Sequence, residues 1–398
     1  MRFVADSRST TPTAAITVSD ANPDFVSPIG ARSHQIYYSF ANDLGPSRLF
    51  GTSESFGASL GLNADLWGDW RGEAYAVHGR ELVRSGTDGN LNSLFLREAV
   101  GATPDNPATG FRTAIDGFFN PFGDGDDNSA AILDFIGAGY GRQRYESEVQ
   151  ALNGQADGKV WTLPGGEVRL AVGLHGRRES FRQRVESFVA TATPTVSTSP
   201  TYERNILAAF AELRAPLVGE ANARPGLRAL ELSLAVRTER YDDFGTTTNP
   251  KIGLSWAPME GVRLRGTYGR SFRAPTLIEL FGAQTISATT YQRGAARVFS
   301  LNLTGGNLGL QPETARSWTA GVDFTPSAVP DLTLGATVFD TRFSDQIDRP
   351  VAQNATAALT DPAFAPFVRL IDPANAADLA AVQRLLDDPT YATPGAFP

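Results

Sequence analysis

Gly269-Arg270-Ser271-Phe272-Arg273 comes within one residue of the elbow that exposes a nucleophilic serine, but Arg273 stands where the closing glycine belongs. A base for such a serine is scarce. His34, His78 and His175 are the only histidines, and no two have metal-ligand spacing. The chain has no cysteine, which removes thiol nucleophiles, thiolate zinc sites and disulfides. Ile132-Leu133-Asp134-Phe135-Ile136 followed by Gly137-Ala138-Gly139-Tyr140-Gly141 imitates a strand running into a dinucleotide loop. Its third glycine is one place early, and Arg142-Gln143-Arg144-Tyr145-Glu146 alternates where a helix should open. Asp124-Gly125-Asp126-Asp127-Asn128 has the first ligands of a calcium loop without its closing glutamate, so it reads as a solvated acidic turn, with a weak divalent-ion site as the alternative. Asp242-Asp243 suits turn chemistry beside Gly245 better than acid–base work. No catalytic, cofactor or metal residue is assigned, and the chain does not read as an enzyme.

The 398 residues carry a formal charge of −8, against the basic stripe of a nucleic-acid binder, and no nucleic-acid partner is expected. An apolar fraction of 41% is enough to build a core. No run approaches the ~18 apolar residues of a membrane helix. The opening Met1-Arg2-Phe3-Val4-Ala5-Asp6 turns polar at once, so no signal peptide is expected.

The elements that hold these residues are strands. Leu230, Leu232, Leu234 and Val236 alternate with Glu231, Ser233, Ala235 and Arg237, and the same two-residue period recurs along the chain. About eleven strands are expected: 35–44, 56–67, 70–84, 142–163, 167–189, 202–214, 228–243, 249–258, 262–274, 314–325 and 331–347. Many exceed the usual five or six residues of globular strands. Short turns such as Gly68-Asp69 and Pro258-Met259-Glu260-Gly261 alternate with the long loops 85–141, 190–201, 275–313 and 348–398. That asymmetry is how transmembrane β-barrels are built. Trp67, Trp70, Trp161, Trp256, Trp318 and Phe324 fall near strand ends, where an interfacial aromatic girdle belongs. The stretch 191–201 reads as a Thr/Ser/Pro loop tip, and 374–387 as a short amphipathic helix.

One stretch is more specific. Arg263-Leu264-Arg265-Gly266-Thr267-Tyr268-Gly269-Arg270-Ser271-Phe272-Arg273-Ala274-Pro275-Thr276-Leu277-Ile278-Glu279-Leu280-Phe281 is followed by Asn307-Leu308-Gly309-Leu310-Gln311-Pro312-Glu313-Thr314-Ala315-Arg316-Ser317. Pro275 ends ladder pairing because it has no N–H, and Pro312 fixes φ just before a strand restarts. In order and spacing these residues resemble the barrel pattern of TonB-dependent outer-membrane receptors. Segments such as Leu163-Pro164-Gly165-Gly166-Glu167 and Arg240-Tyr241-Asp242-Asp243-Phe244-Gly245 look like the same family, and the resemblance covers about 35–347.

The resemblance implies an all-β, antiparallel transmembrane β-barrel with long extracellular loops, of which about 11 of the roughly 22 strands of a plugged barrel are present. It implies 1–34 as an N-terminal segment without a recognisable plug, 35–347 as partial barrel, and 348–398 as a truncated extracellular loop with a short helix. The chain is thus expected to be a fragment lacking plug, TonB box and C-terminal strands. Implied partners are outer-membrane lipid, the TonB complex through the missing plug, and a scarce solute such as a siderophore, cobalamin or oligosaccharide. The implied location is the outer membrane of a Gram-negative bacterium. Phe272, Arg273, Ala274, Pro275, Glu279, Pro312 and Glu313 are the expected signature or plug-gating residues. Tyr291, Arg293, Arg297 and Asn302, with loop aromatics Phe118, Phe119 and Phe122, are the expected solute contacts, although packing within the loop is the commoner use of such aromatics. A passive porin-type channel and a soluble β-rich binding module are the alternatives.

Overall fold

The computed structural model describes residues 1–8, 12–123, 127–294, 296–327, 329 and 331–387. Its frame is one twelve-stranded antiparallel sheet. The strands on its path are β1 (Arg2–Arg8), β4 (Arg48–Asp65), β5 (Arg71–Asn90), β6 (Gly139–Leu163), β7 (Gly166–Ser187), β9 (Tyr202–Val218), β10 (Ala229–Tyr241), β11 (Gly245–Met259), β12 (Val262–Arg273), β15 (Glu313–Phe324) and β16 (Leu334–Ser344). The short β8 (Thr195–Thr198) pairs with the end of β7. Two hairpins stand apart from this sheet: β2 (Thr13–Ser19) with β3 (Ser33–Ser39), and β13 (Thr285–Arg293) with β14 (Ala296–Thr304).

Register shows what the alternation is for. Leu60, Ala76, Leu152, Gly176 and Leu207 lie opposite one another across β4, β5, β6, β7 and β9, so they share one face. That apolar face continues through Leu213, Leu234, Ile252 and Tyr268. Its residues are exposed in number: Leu60, Leu152, Leu174 and Leu207 are each 66–79% accessible. A sheet that turns an aliphatic face this broad outward needs an apolar solvent around it. The opposite face pairs polar groups across strands, as in Thr267 with Thr319 (2.7 Å), Ser317 with Thr341 (2.9 Å) and Arg265 with Asp323 (3.0 Å).

Connections at one end of the sheet are brief, such as 164–165 and 260–261, and Gly261 takes φ of 73°, which a side chain would resist. Trp67, Trp70, Trp161, Trp256 and Phe324 gather at this end, where Trp70 Nε1 donates to the Lys159 carbonyl and Trp256 Nε1 to that of Gly226. Trp318 departs from the strand-end expectation. It sits mid-strand, opposite Tyr268, because β12 and β15 run on past it.

Three other expectations change. Segment 35–44 is not a barrel strand: among the described residues Ser33–Ser39 pairs only with Thr13–Ser19, whereas Arg2–Arg8, read as outside the barrel, pairs with Arg48–Glu54. Alternation reports which face a residue occupies, and says nothing about which strand lies beside it. The loop 190–201 contains β8, and 275–313 contains a helix and a hairpin. Residues 132–136 are not a strand but lie in a helix that precedes β6, the reverse of the strand-then-helix order a dinucleotide loop requires.

The long connection 91–138 folds into helices α1 (Ser93–Ala99), α2 (Thr113–Asp116) and α3 (Ala130–Ile136). Asn92 caps α1 through the Leu94 and Phe95 N–H groups, and Ser129 caps α3. Their apolar sides meet the β2–β3 hairpin in a compact core that includes Ile16, Val18, Phe40, Val100, Phe119 and Ile136. Phe135 lies between Phe95 and Phe111, both ring pairs at 4.2 Å. Buried Asn22, from the loop joining β2 and β3, donates to the carbonyls of Val100 (3.2 Å) and Phe119 (3.0 Å). After β16 come the short helices α5 (Pro350–Gln353) and α6 (Ala355–Ala358), then α7 (Ala376–Asp387), close to the expected 374–387.

Candidate functional site

The motif residues converge at the long-loop end of the sheet. Pro275 ends β12, and the chain turns into α4 (Leu277–Phe281). Thr276 and Glu279 form a reciprocal capping box: the Thr276 N–H donates to Glu279 Oε2 (2.7 Å), and the Glu279 N–H to Thr276 Oγ1 (3.3 Å). Arg273 then joins two acids. Its Nε and Nη2 donate to the two oxygens of Glu313 (2.7 and 3.0 Å), and its Nη1 to those of Glu279 (3.0 and 3.2 Å). Glu313 Oε1 also accepts from the Ile347 N–H (2.8 Å), so one guanidinium ties together the end of β12, α4, the start of β15 and the segment after β16. Burial pushes the Glu279 carboxyl up, but Arg273 and Thr276 outweigh it and hold the group below its ordinary value.

This segment lies against the polar face of β7 and β9. Pro275 is fully buried and its carbonyl accepts from Arg204 Nη1 (2.7 Å). Phe281 stacks on Tyr202 at 4.0 Å, and the Ala283 N–H donates to Gln183 Oε1 (2.9 Å). Leu277 and Leu280 are buried beneath. Arg204 itself has only 5% of its side chain accessible and is held by Glu179 (2.5 Å) and Asp243 (3.2 Å), with its guanidinium 5.3 Å from the Tyr241 ring. Phe272 meets the Tyr241 ring edge-on at 5.8 Å. A cleft of about 800 Å³ opens below α4, walled by Tyr145, Arg177, Glu179, Arg204, Tyr241 and Leu277. Its mixture of charged and aromatic walls suits a polar solute with an apolar part.

The structure therefore unites Phe272, Arg273, Ala274, Pro275, Glu279 and Glu313, with Pro312 just before β15. It does not unite the solute-contacting set. Tyr291, Arg293 and Asn302 share one face of the β13–β14 hairpin, while Arg297 lies opposite Gln292 on the other. Phe119 is fully buried in the loop core and offers a solute no free ring; Phe118 is half-buried beside Gly101, and Phe122 stays exposed. Their apolar neighbours in 91–138 make a better solvent for those rings than water. Of the acidic turn, 124–126 lies outside the described residues, and the Asn128 side chain is occupied by Asn120 and Asp43. No cluster of three or more metal-ligating side chains occurs among the described residues.

Arg204, Glu179, Gln183 and Tyr202 were not singled out from sequence. The available signal was Asp242-Asp243, read as a turn: Asp243 pairs with Arg204, and Asp242 Oδ2 accepts from the Asn205 N–H (2.9 Å).

Comparison with known proteins gives one family match and three similar solved structures. A family model described as TonB dependent receptor-like, beta-barrel, matches residues 5–377. Among solved structures, the siderophore receptor PirA from Pseudomonas aeruginosa is 16% identical with a TM-score of 0.38, covering 75% of this chain and 49% of its own. The RagAB peptide transporter is 12% identical with a TM-score of 0.45, covering 83% of this chain and 34% of its own. The FpvAI–pyocin S2 complex is 11% identical with a TM-score of 0.40, covering 91% and 42%. The chain thus spans a third to a half of the length of the structures it matches.

Proposed function

Because the chain belongs to the TonB-dependent receptor β-barrel family, whose members are outer-membrane transporters and not enzymes, we propose that it forms barrel wall in a receptor for energised uptake of a scarce solute. Siderophores, cobalamin and oligosaccharides are the solute classes in question. Coupling to TonB would pass through a plug held against the polar face, and the location is the outer membrane of a Gram-negative bacterium. The observation that carries this reading is the family match over residues 5–377. The outward apolar face and the short-turn, long-loop asymmetry support it.

In this reading the Arg273–Glu279–Glu313 cluster is a structural latch. It fixes the loop after β12 over the wall, and the cleft under α4 is where solute or plug makes contact. Arg204 serves as the anchor inside that wall. The test is uptake of labelled ferric siderophores, cobalamin and oligosaccharides by cells carrying the protein, with and without a protonophore. Energised transport predicts that uptake of one class collapses when the proton-motive force is lost. Uptake that survives the protonophore would instead establish a passive pore.

A further inference from the structure

Strands β12, β15 and β16 stack their residues in unbroken register, so the apolar face can be read row by row. From the short-turn end the rows are Val262–Phe324–Leu334, Leu264–Val322–Ala336 and Gly266–Ala320–Val338. Next comes Tyr268–Trp318–Asp340, and then Arg270–Arg316–Arg342. The sequence of rows is aliphatic, aromatic, cationic. Successive rows are about 7 Å apart along the strands, and neighbouring strands about 4.8 Å apart. Three guanidinium stems therefore occupy one line about 10 Å long, one step beyond the ring of Tyr268 and the indole of Trp318.

Like charges directly opposite one another across strands are unfavourable, so such a line needs an anion. The protein supplies little. Arg342 pairs with Asp340 (3.1 Å), but Arg270 and Arg316 are exposed and have no carboxylate within ion-pair distance among the described residues. A second line in register, Arg84–Arg144–Arg184, shows the contrast: each member has its own acid, Glu54 (3.5 Å), Glu146 and Glu186 (3.7 Å) respectively. Position identifies the missing anion. Tyr and Trp mark where hydrocarbon gives way to head groups, and the charge just outside that boundary is lipid phosphate.

We propose that Arg270, Arg316 and Arg342 form a docking line on the outer wall for the phosphorylated head group of a membrane lipid. The inference rests on the barrel reading above. Guanidinium groups bind phosphate with paired N–H donors, and the line matches two phosphates carried on one head group better than a single free ion.

The experiment uses the full chain folded in detergent micelles, titrated with bisphosphorylated lipid A and with the same lipid after dephosphorylation, bound lipid being counted by native mass spectrometry. Insertion into phospholipid vesicles is scored first. The wild type should prefer the phosphorylated lipid, and R270Q/R316Q/R342Q should bind it at least tenfold more weakly. R270K/R316K/R342K should recover part of that loss. If the triple glutamine variant fails to insert, Arg316→Gln alone should still weaken binding about threefold. Equal binding of both lipids by an inserted wild type, undiminished binding by the glutamine variants, or full displacement by an equimolar amount of inorganic phosphate would each overturn the docking line and leave the barrel intact. A wild type that fails to insert would overturn both.

Discussion

Replacing Arg204 with Ala tests whether α4 is held to the wall by one buried cation. Its pairs with Glu179 (2.5 Å) and Asp243 (3.2 Å) bring together a side chain 5% accessible and acids 24% and 23% accessible. Breaking a buried pair leaves uncompensated charge and costs about 3–5 kcal/mol, and the partial exposure of the acids places this case at the low end. The charge-assisted bond to the Pro275 carbonyl accounts for about 2 kcal/mol of that. Two kcal/mol is about thirtyfold in an opening equilibrium. Amide exchange on the micelle-bound protein should therefore accelerate about thirtyfold at Leu280, Gly282 and Ala283, whose N–H groups bond Thr276, Ile278 and Gln183. The β7–β9 ladder around Gly176 and Leu207 should move by only a few fold. Arg178→Ala is the control. Its pair with Glu203 is equally short at 2.5 Å, but the side chains are 54% and 43% accessible, and exposed pairs contribute under ~1 kcal/mol. If Arg204→Ala leaves exchange in 277–283 unchanged, or if Arg178→Ala matches it, burial is not what gives Arg204 its role.

Other consequences can be checked separately. Glu279 has a folded pKa below its unfolded one, so its contribution is complete above the ordinary carboxylate value of 4.5 and is lost as pH falls through the lower folded value. The protection factor at Leu280, the intrinsic chemical rate divided by its exchange rate at each pH, should accordingly stay flat from about pH 7 to 5 and fall in acid, and E279Q should remove that dependence. Phe119→Ala should cost about 3–5 kcal/mol, read by denaturant as early melting of 91–138 while the sheet persists. Leu174→Arg, on the outward apolar face, should destabilise vesicle-inserted protein by about 2–4 kcal/mol near mid-membrane; an unchanged midpoint would argue against lipid there.

Much of this was legible because a barrel wall is written in a local code. Leu230 to Val236 alternate because each strand separates two solvents, and that requirement acts on every second residue. The motif from Arg273 to Glu313 was legible too, since its prolines punctuate strands wherever they occur. Pairing was not. Ser33–Ser39 alternates as well as any wall strand, and only its contacts with Thr13–Ser19 show that it belongs to a loop. Arg204 was hidden for a related reason. Its neighbours Glu179, Asp243 and Pro275 come from three other parts of the chain, and no spacing within 202–214 announces their meeting.

The shared core of the β2–β3 hairpin and the connection 91–138 has a bearing on engineering the outer surface. The connections that follow β1 and β5 are separate in sequence but interlocked through Asn22, Phe40 and Phe119. Grafting a foreign loop into either position alone would strip apolar cover from the other. Exchange between homologues should succeed only when both are transplanted together, and their residues should vary as one unit of inheritance.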